Sequence, residues 1–246
     1  MAKSTTRRGS KKGWGDSPGL RKYLDESQRP LVILAFLAPA IVLYQIGSKA
    51  FRTDIVAFAI LGDMMTYVGV SGRSVPAILL VLTLLGWHLV NRDRWRFQTL
   101  TLAKMLLESA LMSLPMFAIG VITQHYLPLR ATGNPHLGAK LALSLGAGLY
   151  EELVFRMYLC GLLWLIIGKA LAVPKFWATV MVVMLSAVLF SGYHYLGYGE
   201  GFAWGRFVFR VMAGVYLAGL YMARGLGVTA GAHAIYDLIV VGMAGI

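Results

Sequence analysis

Residues 138–173 read GAKLALSLGAGLYEELVFRMYLCGLLWLIIGKALAV, an apolar run of 36 residues with two adjacent glutamates and an arginine near its middle. As one helix this run is about 54 Å long at 1.5 Å per residue, more than the ~30 Å hydrocarbon core of a bilayer. It must therefore break, bend or project from the membrane, and Gly146 and Gly148 are candidate kink points. Runs of this length are typical of membrane-spanning helices rather than of a soluble core.

The composition of the whole chain points the same way. Of its 246 residues, 58% are hydrophobic and 14% are charged, whereas an average soluble domain carries roughly 25% charged residues. Lys and Arg outnumber Asp and Glu by 23 to 11, a net charge of +12. We interpret this excess as basic flanks that hold membrane segments against anionic lipid, not as a nucleic-acid site. The single cysteine, Cys160, excludes an internal disulfide and a multi-cysteine metal site.

The apolar runs predict an all-α, polytopic transmembrane helix bundle of about seven helices (six to eight), with the candidate functional core in the C-terminal half. We divide the chain into a basic, partly disordered cytoplasmic tail at 1–30, N-terminal transmembrane helices at 31–137 and a third part at 138–246. Order is expected from about Tyr23 onward. The predicted helices are 31–47, 75–90, 101–123, one or more within 138–173, and then 175–196, 202–222 and 227–246.

Residues 55–70, which Asp63 and two glycines interrupt, are ambiguous. Basic residues precede the first apolar run and follow the run at 75–90, and such residues favour the cytoplasmic side. If both basic segments are cytoplasmic, two crossings between them suffice, so 55–70 is predicted not to span. Residues 124–137 form a polar turn with two prolines.

Ionisable groups inside spanning helices are costly and are functional candidates by default. The first cluster contains Glu151, Glu152 and Arg156. Glu152 and Arg156 are spaced i,i+4 and are predicted to pair on one helix face, with Glu151 on a neighbouring face. A buried ion pair that fixes helix packing accounts for Glu152 and Arg156 but not for Glu151, which can act as a general base. Asp63 and Glu108 are assigned no role.

Two further clusters lie on two later helices. Phe190 and His194 share a helix face at i,i+4, so the ring can shield the imidazole, although a lone membrane histidine often only bonds a neighbouring helix. His233 and Asp237 have the same spacing, and the carboxylate can accept from the imidazole and fix its tautomer. The alternative is a local hydrogen bond within the helix. One inward-facing pocket can collect all three clusters.

The depth of the two histidines raises a difficulty for this pocket. His194 lies 19 residues after Lys175, whereas His233 lies nine residues after Arg224. If Lys175 and Arg224 mark one membrane interface, the histidines are at different depths. The helix at 175–196 is therefore expected to tilt, to start outside the bilayer, or to break near Gly192.

The three motifs, in this order and each in an apolar helix, resemble those of the CPBP family (CAAX proteases and bacteriocin-processing enzymes), also called the abortive-infection family. The matching residues are Glu151-Glu152-x-x-x-Arg156, Phe190-x-x-x-His194 and His233-x-x-x-Asp237. The arginine-containing helix between the last two motifs and the turn Ala223-Arg224-Gly225-Leu226 also resemble the family. The resemblance covers 138–246, which it makes the catalytic membrane domain. Residues 1–137 support it much less.

The resemblance implies an intramembrane endopeptidase of the glutamic type, similar to CAAX proteases. Its eukaryotic members remove the last three residues of prenylated CAAX proteins, and some bacterial relatives are linked to bacteriocin immunity or processing. Carried over motif by motif, Glu151 is the general base that activates a water together with His194, and His233 and Asp237 stabilise the oxyanion. The supporting residues are Glu152, Arg156 and Phe190.

Asp237 departs from the family's pattern, which often has asparagine at this position. An amide can donate to an oxyanion, whereas a carboxylate can do so only when it is protonated. We therefore expect Asp237 to orient His233 rather than to contact the oxyanion.

Zinc is an alternative to this metal-free chemistry. A glutamate and two histidines can form a three-ligand zinc site with an open water position. The HExxH spacing of zinc proteases is absent from the sequence. The resemblance favours a water activated by glutamate, so no metal or other cofactor is predicted, and zinc is not excluded.

Two other functions are weighed against proteolysis. One is a catalytically inactive membrane scaffold or immunity partner, and the other is a transporter or proton pathway that uses the same groups. No inverted repeat, which many transporters contain, is apparent. The expected partners are a membrane-anchored or peptide substrate and the lipid bilayer, with no nucleic acid. The expected location is a bacterial cell membrane, with the N-terminus cytoplasmic.

Overall fold

The structure is a computed structural model that describes residues 17–51, 75–123, 136–196 and 201–244. The predicted non-spanning segment at 55–70 lies outside the described residues, and so does the polar turn except for its last two positions.

The described residues form eight helices and no strand. They are α1 (Pro18–Ser27), α2 (Pro30–Phe51), α3 (Val75–Asn91), α4 (Thr99–Thr123), α5 (Leu137–Ala170), α6 (Lys175–Tyr193), α7 (Trp204–Arg224) and α8 (Leu226–Ala244). Six of them are long and apolar enough to cross a membrane, namely α2 and α4 to α8, while α3 is a shorter apolar helix. The predicted all-α, polytopic bundle is confirmed, and the protein is an integral membrane protein.

The first helix begins earlier than the sequence predicted. Ser17 caps α1, with its hydroxyl accepting from the Leu20 amide at 3.4 Å, and Pro18 takes the first helical position, where its fixed φ is favourable. The helix therefore begins five residues before Tyr23. The segment is too polar to be recognised as a bundle helix, and it is held by side-chain contacts instead of an apolar face.

The long apolar run forms one continuous helix, α5, of 34 residues. Its hydrogen bonds widen to the i→i+5 pattern at Ala147–Glu151, Leu153–Leu159 and Trp164–Ala170. Such π-type turns are frequent at functional sites. The predicted interruption near the two glycines is thus a widening that begins at Ala147 and not a break. Gly148 is needed for close packing, because a Cβ there would lie 2.5 Å from the Cβ of Ala234.

The start of α2, the α3–α4 loop and the α7–α8 turn all lie at one end of the bundle, which we call the basal end. Helix α1 ties them together. The carboxylate of Glu26 accepts a hydrogen bond from the backbone amide of Gln98, just before α4, at 3.0 Å. At the other contact, Arg224 at the end of α7 donates to the Ser27 hydroxyl at 3.1 Å. Helices α2, α4 and α8 therefore run away from this end, and α7 runs toward it.

The α5–α6 hairpin extends beyond the α7–α8 turn at the basal end. Gly148 of α5 packs on Ala234 of α8, which is eight residues, or about 12 Å, from the start of α8. The 22 residues from Gly148 to Ala170 can cover up to about 33 Å. Lys175 consequently lies farther out than Arg224, which resolves the difference in depth between the two histidines. Of the three expected explanations, the early start of this helix fits the packing.

Candidate active site

The three predicted clusters come together between α5, α6 and α8. Glu151 and Glu152 of α5 are 5% and 0% exposed, and His233 of α8 is 5% exposed. His194, the residue directly after α6, has a side chain that is 21% exposed. One site therefore brings together an acidic pair and two histidines from α5, α8 and the end of α6, in a part of the bundle where charge is costly to bury.

Glu152 lies at the centre of the buried part of the site. Its Oε1 accepts a hydrogen bond from Nδ1 of His233 at 2.7 Å, and its Oε2 is 3.0 Å from Nε of Arg156. The predicted i,i+4 pair of Glu152 and Arg156 is thus present. Because one carboxylate connects a cation and an imidazole, the position of His233 depends on α5 as well as on its own helix.

Arg156 is fixed by a carboxylate and by an aromatic ring. Its Cζ lies 4.4 Å from the centroid of the Phe190 ring, a cation–π contact, and its side chain is 1% exposed. Neither Nη atom has a hydrogen-bond partner among the described residues. The guanidinium therefore interacts with the Glu152 carboxylate and with the Phe190 ring. In the described structure it does not lie within ion-pair distance of Glu151.

His194 has a tautomer that its backbone contact defines. Its Nδ1 lies 2.8 Å from the carbonyl oxygen of Phe190, which can only accept, so Nδ1 carries the proton. Burial, and next the positive charge of Arg210, lower the pKa of His194, so the ring is neutral. Its Nε2 is then an acceptor that faces Oε1 of Glu151.

The gap between His194 and Glu151 suits one water molecule. Nε2 and Oε1 are 3.9 Å apart, which is too long for a direct hydrogen bond. With a water oxygen about 2.8 Å from both atoms, the angle Nε2–water oxygen–Oε1 is about 90°, close to the angle between two hydrogen bonds of one water. The pair can therefore hold a water between a carboxylate and a neutral imidazole.

Phe190 forms the common wall of the site. Its ring centroid is 5.0 Å from that of His194 and 6.2 Å from that of His233, and Phe155 of α5 packs edge-on against it at 5.3 Å. The predicted shielding of His194 by Phe190 is present. The same ring also contacts the second histidine and Arg156, so it touches residues of all three helices.

Asp237 makes the longer of two carboxylate contacts with His233. Its Oδ2 lies 3.5 Å from Nε2, whereas Glu152 is 2.7 Å from Nδ1. The contact that fixes the tautomer of His233 is therefore made by Glu152, which the sequence analysis named only as a supporting residue. The i,i+4 spacing indicated Asp237 because it reports neighbours on one helix and not partners from another.

The described residues contain no group of three or more His, Cys, Asp or Glu side chains placed to hold one metal ion. Glu151, His194 and His233, the ligand set considered for zinc, do not converge in this way.

Sequence reasoning missed Tyr193 as a contact of Glu151. The Tyr193 hydroxyl donates to Oε1 of Glu151 at 3.4 Å, the same oxygen that faces His194. The available signal was its place directly before His194, at the end of a helix that already carried two candidate residues.

A second buried charge cluster gives Glu108 a partner. Arg224 donates through Nε and Nη2 to the two carboxylate oxygens of Glu108, the second at 2.8 Å, and Nη2 also reaches the Ser27 hydroxyl. Tyr23 donates its hydroxyl to Glu108 as well. We call these four residues the basal cluster. Glu108 stood out as an acid within a spanning helix, but its partner lies 116 residues away.

The fold and the site together define a polytopic helical membrane protein with a buried acid–histidine site. The family model described as type II CAAX prenyl endopeptidase Rce1-like matches residues 134–239. The resemblance to CAAX proteases is thereby confirmed over this part of the chain. The match includes every motif residue and α6, α7 and most of α8. No curated protein and no solved structure matches the chain significantly.

Proposed function

We propose that this protein is an intramembrane endopeptidase of the glutamic type, which hydrolyses a peptide bond of a membrane-associated substrate. The observation that carries the proposal is that two adjacent glutamates contact different histidines. Nε2 of His194 lies 3.9 Å from Oε1 of Glu151, a distance that one water can bridge, while Glu152 is bonded to His233 at 2.7 Å. The family match over 134–239 supports proteolysis independently of this geometry.

In the first step, the water between Glu151 and His194 attacks the carbonyl carbon of the scissile bond. Glu151 takes one proton of the water, and Nε2 of neutral His194 accepts the hydrogen bond from the other. The water oxygen forms a bond to carbon, and the carbonyl oxygen becomes the oxyanion of a tetrahedral intermediate. General-base catalysis of this kind contributes roughly 10²- to 10⁴-fold to a rate.

His233 supplies the hydrogen bond to the oxyanion. Because Glu152 accepts from Nδ1, the ring atom left for the substrate is Nε2, which donates when it is protonated. Asp237, 3.5 Å from Nε2, holds the ring in place before the substrate binds. When the intermediate collapses, the carbon–nitrogen bond breaks and Glu151 returns its proton to the leaving amine.

The basal end of the bundle is the cytoplasmic end in this proposal, which puts the N-terminus in the cytoplasm. Exposed cations at this end include Arg21, Lys22, Arg92, Arg94, Arg96 and Lys104. Lysine and arginine in short loops next to spanning helices favour the cytoplasmic side. Single cysteines at Arg94 and at Gly201, on the opposite side of α7, would be labelled from opposite sides of sealed vesicles. Labelling of both from the same side contradicts this orientation.

Comparative membrane proteomics of cells with the wild type or with Glu151→Ala tests the proposed activity and finds the substrate. If the protein is a protease, we expect a precursor to accumulate only in cells with the variant. Purified protein should then cleave that precursor, or a prenylated peptide with a C-terminal CAAX sequence, in lipid nanodiscs. A variant that keeps the full cellular phenotype indicates the scaffold function. Solute or ion flux into vesicles without peptide cleavage indicates the transporter.

A further inference from the structure

We propose that Tyr193 is a positioning residue for Glu151, whose hydroxyl holds the carboxylate oxygen Oε1 next to His194. The inference rests on the proposed function, because it assigns a role in water activation to a residue outside the three motifs.

The hydroxyl and the imidazole approach the same oxygen from neighbouring positions of the chain. The Tyr193 hydroxyl lies 3.4 Å from Oε1 of Glu151, and Nε2 of His194 lies 3.9 Å from it. Tyr193 is the last residue of α6, and His194 follows it. One helix end thus presents a donor and an acceptor to one carboxylate oxygen, which is the arrangement needed to keep that oxygen beside a bound water.

Glu151 needs such a donor because the nearby guanidinium is engaged elsewhere. Arg156 is 3.0 Å from Glu152 and is stacked on Phe190. In the part of the chain that the structure describes, the Tyr193 hydroxyl is the side-chain donor within hydrogen-bond distance of Glu151. Without it, repulsion from the adjacent Glu152 would turn the Glu151 carboxylate away, since like charges in a low-dielectric site repel strongly.

The aromatic ring of Tyr193 is held separately from its hydroxyl. Its centroid is 5.1 Å from that of Phe155 and 4.7 Å from that of His194. A phenylalanine keeps both contacts and removes only the oxygen. Tyr193→Phe therefore separates the positioning role from packing, which a change to alanine could not do.

Tyr195→Phe is a matched control. Tyr195 lies on the other side of His194 in the sequence, is also half-buried, and donates its hydroxyl to the Ala203 carbonyl at 3.3 Å. The control removes a tyrosine hydroxyl from the same turn, and this hydroxyl does not contact Glu151.

The experiment measures cleavage of a prenylated CAAX peptide by the full chain in nanodiscs. For Tyr193→Phe we expect kcat to fall about five- to tenfold, the value of one hydrogen bond of ordinary strength, with KM and melting temperature unchanged. Tyr195→Phe should keep the wild-type kcat. A wild-type kcat in Tyr193→Phe, or an equal loss in both variants, overturns the positioning role.

A spectroscopic measurement keeps this inference separate from the proposed function. The infrared carboxylate bands that disappear in Glu151→Gln belong to Glu151, and we expect them to shift in Tyr193→Phe but not in Tyr195→Phe. Unshifted bands overturn the inference even if the enzyme is active. Conversely, if wild type and Glu151→Gln cleave the peptide equally, the proposed function fails, while the bands still decide whether Tyr193 holds Glu151.

Discussion

The basal cluster and the active site are both built from buried charges, but their balance of charge differs. In the basal cluster one carboxylate, Glu108, meets one guanidinium, Arg224, and each of its oxygens accepts from the arginine. Burial, and next the Glu108 carboxylate, raise the pKa of Tyr23 above its usual range, so its hydroxyl remains a donor. Every carboxylate oxygen there has a partner, which is the condition under which a buried ion pair is tolerated.

The active site has more carboxylates than arginines. Three carboxylates, Glu151, Glu152 and Asp237, lie among two histidines, while Arg156 pairs with Glu152 and the charge of Arg210 acts on His194. This arrangement leaves Glu151 3.9 Å from the imidazole of His194, a distance that one water can bridge, and not within ion-pair distance of Arg156. We infer from the comparison that a balanced cluster holds helices together, whereas in the proposed function the unbalanced cluster moves a proton.

The largest expected effect tests the unbalanced cluster. Glu151→Gln keeps the size of the side chain and removes the base, so we expect the cleavage rate to fall by roughly 10²- to 10⁴-fold. The melting temperature in detergent should not fall, because the change removes repulsion from Glu152. If the variant lost its fold together with its activity, Glu151 would belong to the structural class of charges, and the contrast between the two clusters would disappear.

Glu108→Gln breaks the balanced cluster and should have the opposite result. Arg224 would lose its bidentate partner, and the Tyr23 hydroxyl of α1 would donate to a neutral amide instead of a carboxylate. The side chains of Arg224 and Glu108 are only 11% and 19% exposed, so we expect a loss of about 2 kcal/mol in the free energy of unfolding, somewhat less than for fully buried pairs. Thermal unfolding followed by tryptophan fluorescence measures it.

The activity per folded molecule of Glu108→Gln should stay within a factor of about two, since the basal cluster lies at the far end of α7 from the site. A variant with normal stability and no cleavage would show that the basal cluster belongs to the catalytic machinery.

Arg156→Lys is expected to reduce activity less than Glu151→Gln and more than Glu108→Gln. Lysine keeps the charge beside Glu152 but loses the planar contact with Phe190, which is 4.4 Å away. Because Glu152 holds His233, we expect kcat to fall about tenfold with a smaller change in KM. Full activity would mean that charge alone positions Glu152. A loss confined to KM would place Arg156 in substrate binding.

The sequence predicted the members of the site but not their pairing. Spacings of i,i+4 identified Glu152 with Arg156 and Phe190 with His194, because such pairs depend only on helix geometry. The contact of Glu152 with His233 spans 81 residues and depends on how closely Gly148 lets α5 approach α8. Helix α1 and the basal cluster were missed for the same reason, since their contacts connect α1 to residues far along the chain.

The smallest expected effect is that of a metal chelator, which should leave the cleavage rate unchanged. A zinc site would need Glu151, His194 and His233 to direct lone pairs at one point. Instead, Nδ1 of each histidine is bonded within the protein, and Nε2 of His233 lies 3.5 Å from the Asp237 carboxylate while that of His194 faces Glu151. Incubation with a zinc chelator, followed by addition of zinc, is therefore a direct test. Loss of cleavage that zinc restores would replace the water held by Glu151 and His194 with a metal-bound water, and it would turn the excess acid of this site into a ligand set.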